Sequence, residues 1–295
     1  VKIRIGTRGS LLARWQAEHV KARLESLGHE VSLRLITTTG DRTSGVLAGV
    51  GGKGAFLKEI EEALLASEVD LAVHSLKDVP TELPSGLELV AVLERADPRD
   101  ALVSGGASLD GLPAGARVGT TSLRRRALLR RHRPDLAAVD LRGNVDTRLR
   151  RRSEGDFDAV LLAMAGLLRL GRAAEVTEAL DPDRFVPAPG QGAIGLEARA
   201  GESPIRDAVA PLHHGPTFRA VGAERAFLSA LGGGCNLPLG AFAREIESGE
   251  LRLVAFVAGA EGGSFEQAEG RGSEPEQVGR GVARELSLRG AFLRR

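Results

Sequence analysis

The order of apolar periods predicts a chain of α/β layers closed by a separate α+β domain. Two observations carry that expectation. Short runs with an apolar residue at every second place alternate with longer runs of helical period through the first two thirds of the chain, and near residue 215 the order changes to one helix, three strands and a last helix. At 295 residues, 42% hydrophobic and 27% charged, the chain is long enough to bury two or three cores.

Val1, Ile3 and Ile5 mark the first strand, and Ser10 is placed to cap a helix whose buried side is expected to take Leu12, Trp15, His19, Val20, Leu24 and Leu27. Gly28 ends that helix and Val31, Leu33 and Leu35 form the next strand. The run "TTTGDRTSG" is a loop, "AFLKEIEEALLAS" an amphipathic helix and "VDLAVHSL" a third strand. Beyond "ERADPRD" the pattern predicts strands over 101–104, 116–120, 137–142 and 158–163, with helices over 122–131 and 144–153. The last part reads as a helix through "TFRAVGAERAFLSAL", a glycine loop with the cysteine, three strands joined by "ESGE" and "AEGGS", and a helix near 274–289. Pro and Gly gather at "ERADPRD", "VPAPGQG" and "HHGPT", which are the expected boundaries. No internal repeat or low-complexity tract interrupts the order.

Composition removes several function classes. The one cysteine rules out an internal disulfide framework and points to a reducing compartment, the cytoplasm. No run of about 18 apolar residues occurs, so no membrane role is expected. No set of His, Cys or Asp has metal-ligand spacing, so no metal is expected. The run "SLRRRALLRRHRP" could lie on phosphates, but a net charge of +1, 3% aromatics and no Tyr argue against a nucleic-acid partner. Among the 40 basic residues only five are Lys. Either genome bias or heat adaptation explains that, or guanidinium forks serve to bind carboxylates or phosphates.

Position favours the second explanation. Many arginines follow predicted strands, the edge at which open α/β sheets bind ligands. Arg8 follows the first strand, Arg124 and Arg125 stand in "GTTSLRRR", Arg142 and Arg148 in "LRGNVDTR", and Arg169 in "AGLLRLG". Thr120, Thr121 and Ser122 offer hydroxyls, and the helix after them its free N–H groups, to an anion. At "VHSLKDVPTELPSG" the third strand runs out in Lys77 and Asp78; Asp78 is either a turn former or a catalytic carboxylate. His74 is read as a packing or backbone-bonding side chain. "GGKG" at 51–54 lacks the ending of a phosphate loop and reads as a glycine-hinged flap. Cys235 in "LGGGCNLPLG" is either a small buried hydrophobe or a reachable thiol on a loose loop.

The motifs "RIGTRGS", "VGGKGAFLKEIEEALL", "AVHSLKDVP", "DPRDALVS", "VGTTSLRRR", "LRGNVDTRL", "AGLLRLG", "PAPGQGAIGLE" and "GGGCNLP" occur in the order of the porphobilinogen deaminase (hydroxymethylbilane synthase) family, and the chain resembles that family almost from end to end. The resemblance implies two lobes like those of periplasmic binding proteins plus a smaller α+β C-terminal domain: domain 1 over 1–93 and 192–212, domain 2 over 98–187, domain 3 over 215–295. It implies a monomeric transferase of tetrapyrrole synthesis that condenses four porphobilinogen molecules head to tail, with loss of ammonia, and frees hydroxymethylbilane.

It implies further that Cys235 carries a dipyrromethane cofactor through a thioether, and that Asp78 is the catalytic carboxylate. Arg8, Arg124, Arg125, Arg142, Arg148 and Arg169 are expected to bind the acetate and propionate groups, with Ser10, Lys77, Thr121, Ser122 and Gln191 as further contacts. Two departures from the family pattern stand out: Gly49 occupies a place where relatives often have Lys, which weakens any carry-over to Lys53, and "GGGC" replaces the commoner "EGGC". A two-lobed protein that only captures an organic anion is the rival reading; it accounts for lobes and arginines but not for Asp78 or a tethering cysteine.

Overall fold

A computed structural model describes residues 1–39, 57–201, 203–233, 237–259 and 264–290 of the chain. The flap at 51–54 and Cys235 lie outside the described residues. The chain divides into two compact units, Val1–Ala96 with Ala193–Phe218, and Asp97–Gly192 with Arg219–Arg295.

The first unit opens with β1 (Lys2–Thr7), α1 (Leu11–Ser26), β2 (Glu30–Leu35), α2 (Lys58–Leu65) and β3 (Leu71–Ser75). A 3-10 turn over Leu76–Asp78 leads on to β4 (Leu87–Val92). In the second unit follow β5 (Asp100–Val103), β6 (Arg117–Gly119), α3 (Leu123–His132), β7 (Ala137–Val139), α4 (Val145–Ser153), β8 (Ala159–Ala163), α5 (Met164–Arg169) and β9 (Glu178–Ala179). The chain returns to the first unit with β10 (Ile194–Arg199) and α6 (Ser203–Val209). It ends with α7 (Gly215–Ala230), β11 (Leu239–Glu245), β12 (Leu251–Ala258), β13 (Phe265–Gly272) and α8 (Pro275–Leu288).

The two five-stranded sheets share one plan, with strand orders β2-β1-β3-β10-β4 and β7-β6-β8-β5-β9. In each, three neighbouring strands run parallel and the fourth runs against them. That antiparallel fourth strand is in both cases the first strand made after the chain crosses over from the other unit, β10 on the return to the first and β5 on the entry to the second. Strands at the centre of such sheets are buried on both faces and carry near-continuous apolar runs. Accordingly Ile3, Ile5, Val73 and Leu196 pack with Val20 and Leu24 of α1 on one face, and Ala72 with Ile60 and Leu64 of α2 on the other. In the second sheet Leu102 and Leu161 face Leu128 of α3, and Val103, Val160 and Leu162 face Leu149 of α4. The remaining sheet, β11-β12-β13, is antiparallel and packs its alternate residues against Phe227 of α7 and Val282 and Leu286 of α8. Gly279 is required there, because a Cβ on it would run into the carbonyl of Ala223.

The expected elements are found within a few residues of their sequence bounds, and β4, β9, β10, α5 and α6 add to them. The phase of α1 is a correction. Its buried side is Gln16, Ala17, Val20 and Leu24, while Trp15 is 38% exposed and Leu27 46%. Trp15 instead stacks on His19, ring centroids 5.1 Å apart, so two amphipathic rings one turn apart cover each other without entering the core.

Candidate functional site

In the first unit β1 and β3 run parallel, so the residues after their C-terminal ends share one edge of the sheet. There the chain leaves β1 through Thr7, Arg8 and Gly9 to Ser10, whose hydroxyl accepts from the Ala13 amide at 3.3 Å and starts α1. Beyond β3, Pro80 cannot continue a ladder, and the chain turns within the 3-10 segment that presents Lys77 and Asp78. A cavity of about 100 Å³ opens between these ends, lined among others by Arg8, Ser10, Gln16, His74, Ser75 and Asp78. Gln16 is buried and donates to the Ser75 hydroxyl at 2.9 Å. His74 is buried, as a packing side chain would be, but among the described residues its ring bonds a carboxylate and not backbone: Nε2 lies 2.9 Å from Oε2 of the fully buried Glu197. Arg8, Ser10 and Asp78 thus meet at one cavity, with Lys77 next to Asp78 in the chain.

In the second unit the three parallel strands β6, β7 and β8 likewise end on one edge, and the other arginines follow those ends. After β6, Ser122 caps α3 by accepting from the Arg125 amide, and its own amide donates to Thr120 Oγ1 at 3.2 Å. The Thr121 hydroxyl reaches the Leu141 carbonyl at 3.5 Å. Arg124 and Arg125, both buried, turn to Asp100, the first residue of β5, which is wholly buried. Arg124 Nη1 donates to Asp100 Oδ2 at 2.7 Å and to the Val186 carbonyl at 2.8 Å; Arg125 Nη2 donates to Oδ1 at 2.8 Å. Gln191 completes the group, its amide donating to the same Oδ1 at 3.0 Å. Although burial opposes it, the charges of Arg124 and Arg125 hold the Asp100 carboxyl well below the usual carboxylate range. One carboxylate against two guanidiniums leaves the cluster one positive charge in surplus.

After β7 comes Arg142, exposed, with no hydrogen bond or ion pair among the described residues. Gly143 takes the turn at φ 117, a conformation that favours glycine, and Asn144 caps α4 by accepting from the Thr147 amide at 2.9 Å. Arg148 on that helix donates Nε to the Gly143 carbonyl at 2.8 Å and has no carboxylate partner among the described residues. Burial, and then the charge of Arg125, lower its pKa to about 10. Arg169, at the end of α5, donates to the Gly192 carbonyl at 2.7 Å, and burial pushes it down to about 10 as well.

Three functional candidates escaped the sequence reading. Asp100 gathers two arginines and a glutamine from places 24, 25 and 91 residues away. Glu197 is 123 residues from His74. Glu224 of α7, fully buried, accepts from the amides of Gly190 at 2.7 Å and Ala243 at 2.8 Å. The one signal available for them was an acidic residue inside an otherwise apolar run, "RDALV", "IGLEA" and "VGAERAF".

Fold and charge define an α/β protein whose parallel strands, within each unit, end on groups suited to an anionic ligand. Comparison makes the class particular. Residues 3–207 match the family described as porphobilinogen deaminase, dipyromethane cofactor binding domain, and residues 218–287 match porphobilinogen deaminase, C-terminal domain. The porphobilinogen deaminase of Syntrophobacter fumaroxidans is 51% identical over 295 residues, spanning 98% of this chain and 95% of the relative. That of Syntrophotalea carbinolica is 52% identical, over 98% of this chain and 93% of the relative. Among solved structures, lipoprotein Tp32 of Treponema pallidum has a TM-score of 0.45 at 15% identity, covering 79% of this chain and 97% of its own. The chain belongs to the porphobilinogen deaminase family.

Proposed function

We propose that the chain is a transferase that condenses four porphobilinogen molecules head to tail with loss of ammonia, on a dipyrromethane primer bound through a thioether to Cys235, and releases hydroxymethylbilane by hydrolysis. The observation that carries this reading is that Arg124, Arg125, Arg142 and Arg148, which follow parallel strands, have between them one carboxylate, Asp100, among the described residues, in a chain of this family. Porphobilinogen bears an acetate and a propionate, so every ring added brings two negative charges. Arg142 and Arg148, which have no carboxylate partner among the described residues, and Arg124 and Arg125, which share one, suit that load.

The donor set therefore fits the primer's own four carboxylates. Arg124, Arg125, Arg142, Arg148 and Arg169 would hold them, with Thr121, Ser122 and Gln191 around them. When bound, the primer would supply the pyrrole carbon to which the first unit is joined. Arg8, Ser10 and Lys77 would receive side-chain carboxylates near Asp78. Asp78 would accept from pyrrole N–H groups and oppose the positive charge that grows on the substrate as its C–N bond breaks. An aspartate suits this task because the stabilising charge must be negative.

The division into domains over 1–93 with 192–212, 98–187, and 215–295, and a monomer working in the cytoplasm, complete the reading. No helix among the described residues is long and apolar enough to cross a membrane. The reading is tested by incubating the purified protein with porphobilinogen. It requires one ammonia released per molecule consumed and a tetrapyrrole product; protein that binds porphobilinogen without releasing ammonia would favour the anion-capturing alternative.

A further inference from the structure

The reading above leaves unused a buried pair beside Asp78. His74 stands on β3 opposite Gly195 of β10, and Glu197 opposite Ala72, so the two side chains meet diagonally on one face of the sheet. Nε2 lies 2.9 Å from Glu197 Oε2, with side-chain exposures of 6% and 0%. A carboxylate only accepts, so Nε2 carries the hydrogen of this contact, and the tautomer it selects has its lone pair on Nδ1. Nδ1 makes no hydrogen bond among the described residues, and His74 lines the same cavity as Asp78. Glu197 Oε1 is buried and has no hydrogen-bond partner among the described residues.

Among the described residues, Glu197 from β10 contacts the ring, Glu61 from α2 couples to it, and Asp78 from the 3-10 turn and Arg8 from the loop after β1 line the same cavity as His74. Burial, and then the negative charge of Glu197, raise the pKa of Glu61. An imidazole oriented by a buried carboxylate, on a residue that lines a cavity, has the arrangement of a general base.

We propose that His74, held by Glu197, is the proton acceptor of the ring-joining step. Porphobilinogen enters as the ammonium form; its C–N bond breaks with the electron pair on nitrogen, releasing ammonia. A carbon–carbon bond forms from the pyrrole carbon of the unit added before it. His74 Nδ1 takes the proton displaced from that carbon, the C–H electrons returning to the ring, and passes it to ammonia, which leaves as ammonium. Glu197 neutralises the imidazolium in between.

The proposal rests on the condensation activity proposed above, and its test separates the two. Full-length His74→Gln, His74→Ala and Glu197→Gln are compared with the unsubstituted protein for kcat and KM between about pH 6 and pH 9, with intact mass reporting whether the primer is loaded. His74→Gln is expected to load and to lose about a hundredfold in kcat with KM nearly unchanged, and its pH profile of kcat is expected to differ in shape from that of the unsubstituted protein. Added imidazole is expected to restore about tenfold or more of the activity of His74→Ala, where there is room for it, and none in His74→Gln. Glu197→Gln keeps the shape and is expected to load and to lose about tenfold or more in kcat. A kcat within about threefold of the unsubstituted protein in His74→Gln or Glu197→Gln overturns the proposal, as does a His74→Ala that folds and loads but is not rescued. If the unsubstituted protein releases no ammonia, the condensation reading fails instead.

Discussion

Replacing Asp100 by Asn removes one negative charge from between two guanidiniums while keeping the side-chain volume. Five hydrogen bonds end on this carboxylate, two from Arg124, two from Arg125 and one from Gln191, and four of them converge on Oδ1. An amide offers one acceptor oxygen and puts two donors where the other oxygen stood, so it faces donors with donors. Both arginines then remain buried, 7% exposed each, with their mutual repulsion unopposed. Breaking a buried pair by removing one partner costs about 3–5 kcal/mol, a large share of the roughly 5–15 kcal/mol that holds a domain folded. For a unit of this size each kcal/mol lowers Tm by about 2–4 °C, which predicts a fall of about 6–20 °C by calorimetry at neutral pH.

The pH dependence follows from the sign of the shift. Asp100 has a folded pKa below its ordinary value of 3.8, so its stabilisation is present above that value and is lost as pH falls through the folded pKa. The gap in Tm between the native protein and Asp100→Asn should therefore be constant near neutrality and close only in strong acid. A Tm within about 2 °C of the native protein at neutral pH would show that the cluster is not the buried ion group described here.

The other predictions concern single residues. Asp78→Asn should fold with unchanged Tm and lose about a hundred- to a thousandfold in kcat, read from steady-state ammonia release; near-normal turnover would remove its proposed role. Arg148→Met removes a partly buried cation whose pKa is depressed to about 10, so the folded state pays for its charge at every lower pH; the variant should melt higher, by about 1 kcal/mol in stability, yet show a raised KM for porphobilinogen. Ser122→Ala deletes the cap of α3 and should cost about 1 kcal/mol in a denaturant titration, against no change for an exposed serine elsewhere.

Local chemistry was legible in the sequence wherever one short segment holds all of it. Strand ends followed by Ser10, Ser122 or the Gly143–Asn144 turn announce their helices by residue type, and the arginines behind them fall on the two sheet edges because parallel strands end together. Asp78 was visible as an acid at a strand exit. Phase was harder to read: in α1, Leu12, Trp15 and His19 fit an apolar stripe as well as Ala17 and Val20 do, and the bulk of the rings misled. Partnership was not legible at all. Nothing near Arg124 in the chain says that it serves Asp100, because the bond closes a loop of 24 residues through a strand that pairs only in the folded sheet. The same holds for His74 and Glu197, joined by β10 after the chain has passed through the whole second sheet.

The weight of the purified chain is the most direct test of the central claim that Cys235 holds a primer on which the product is built. Intact mass spectrometry should find the protein heavier than its sequence by one dipyrromethane, and heavier in further equal steps after brief exposure to porphobilinogen, while Cys235→Ser stays at its sequence mass in both conditions. A native protein found at the mass of its sequence alone after exposure to porphobilinogen, or a Cys235→Ser variant that gains the same increments, would contradict it.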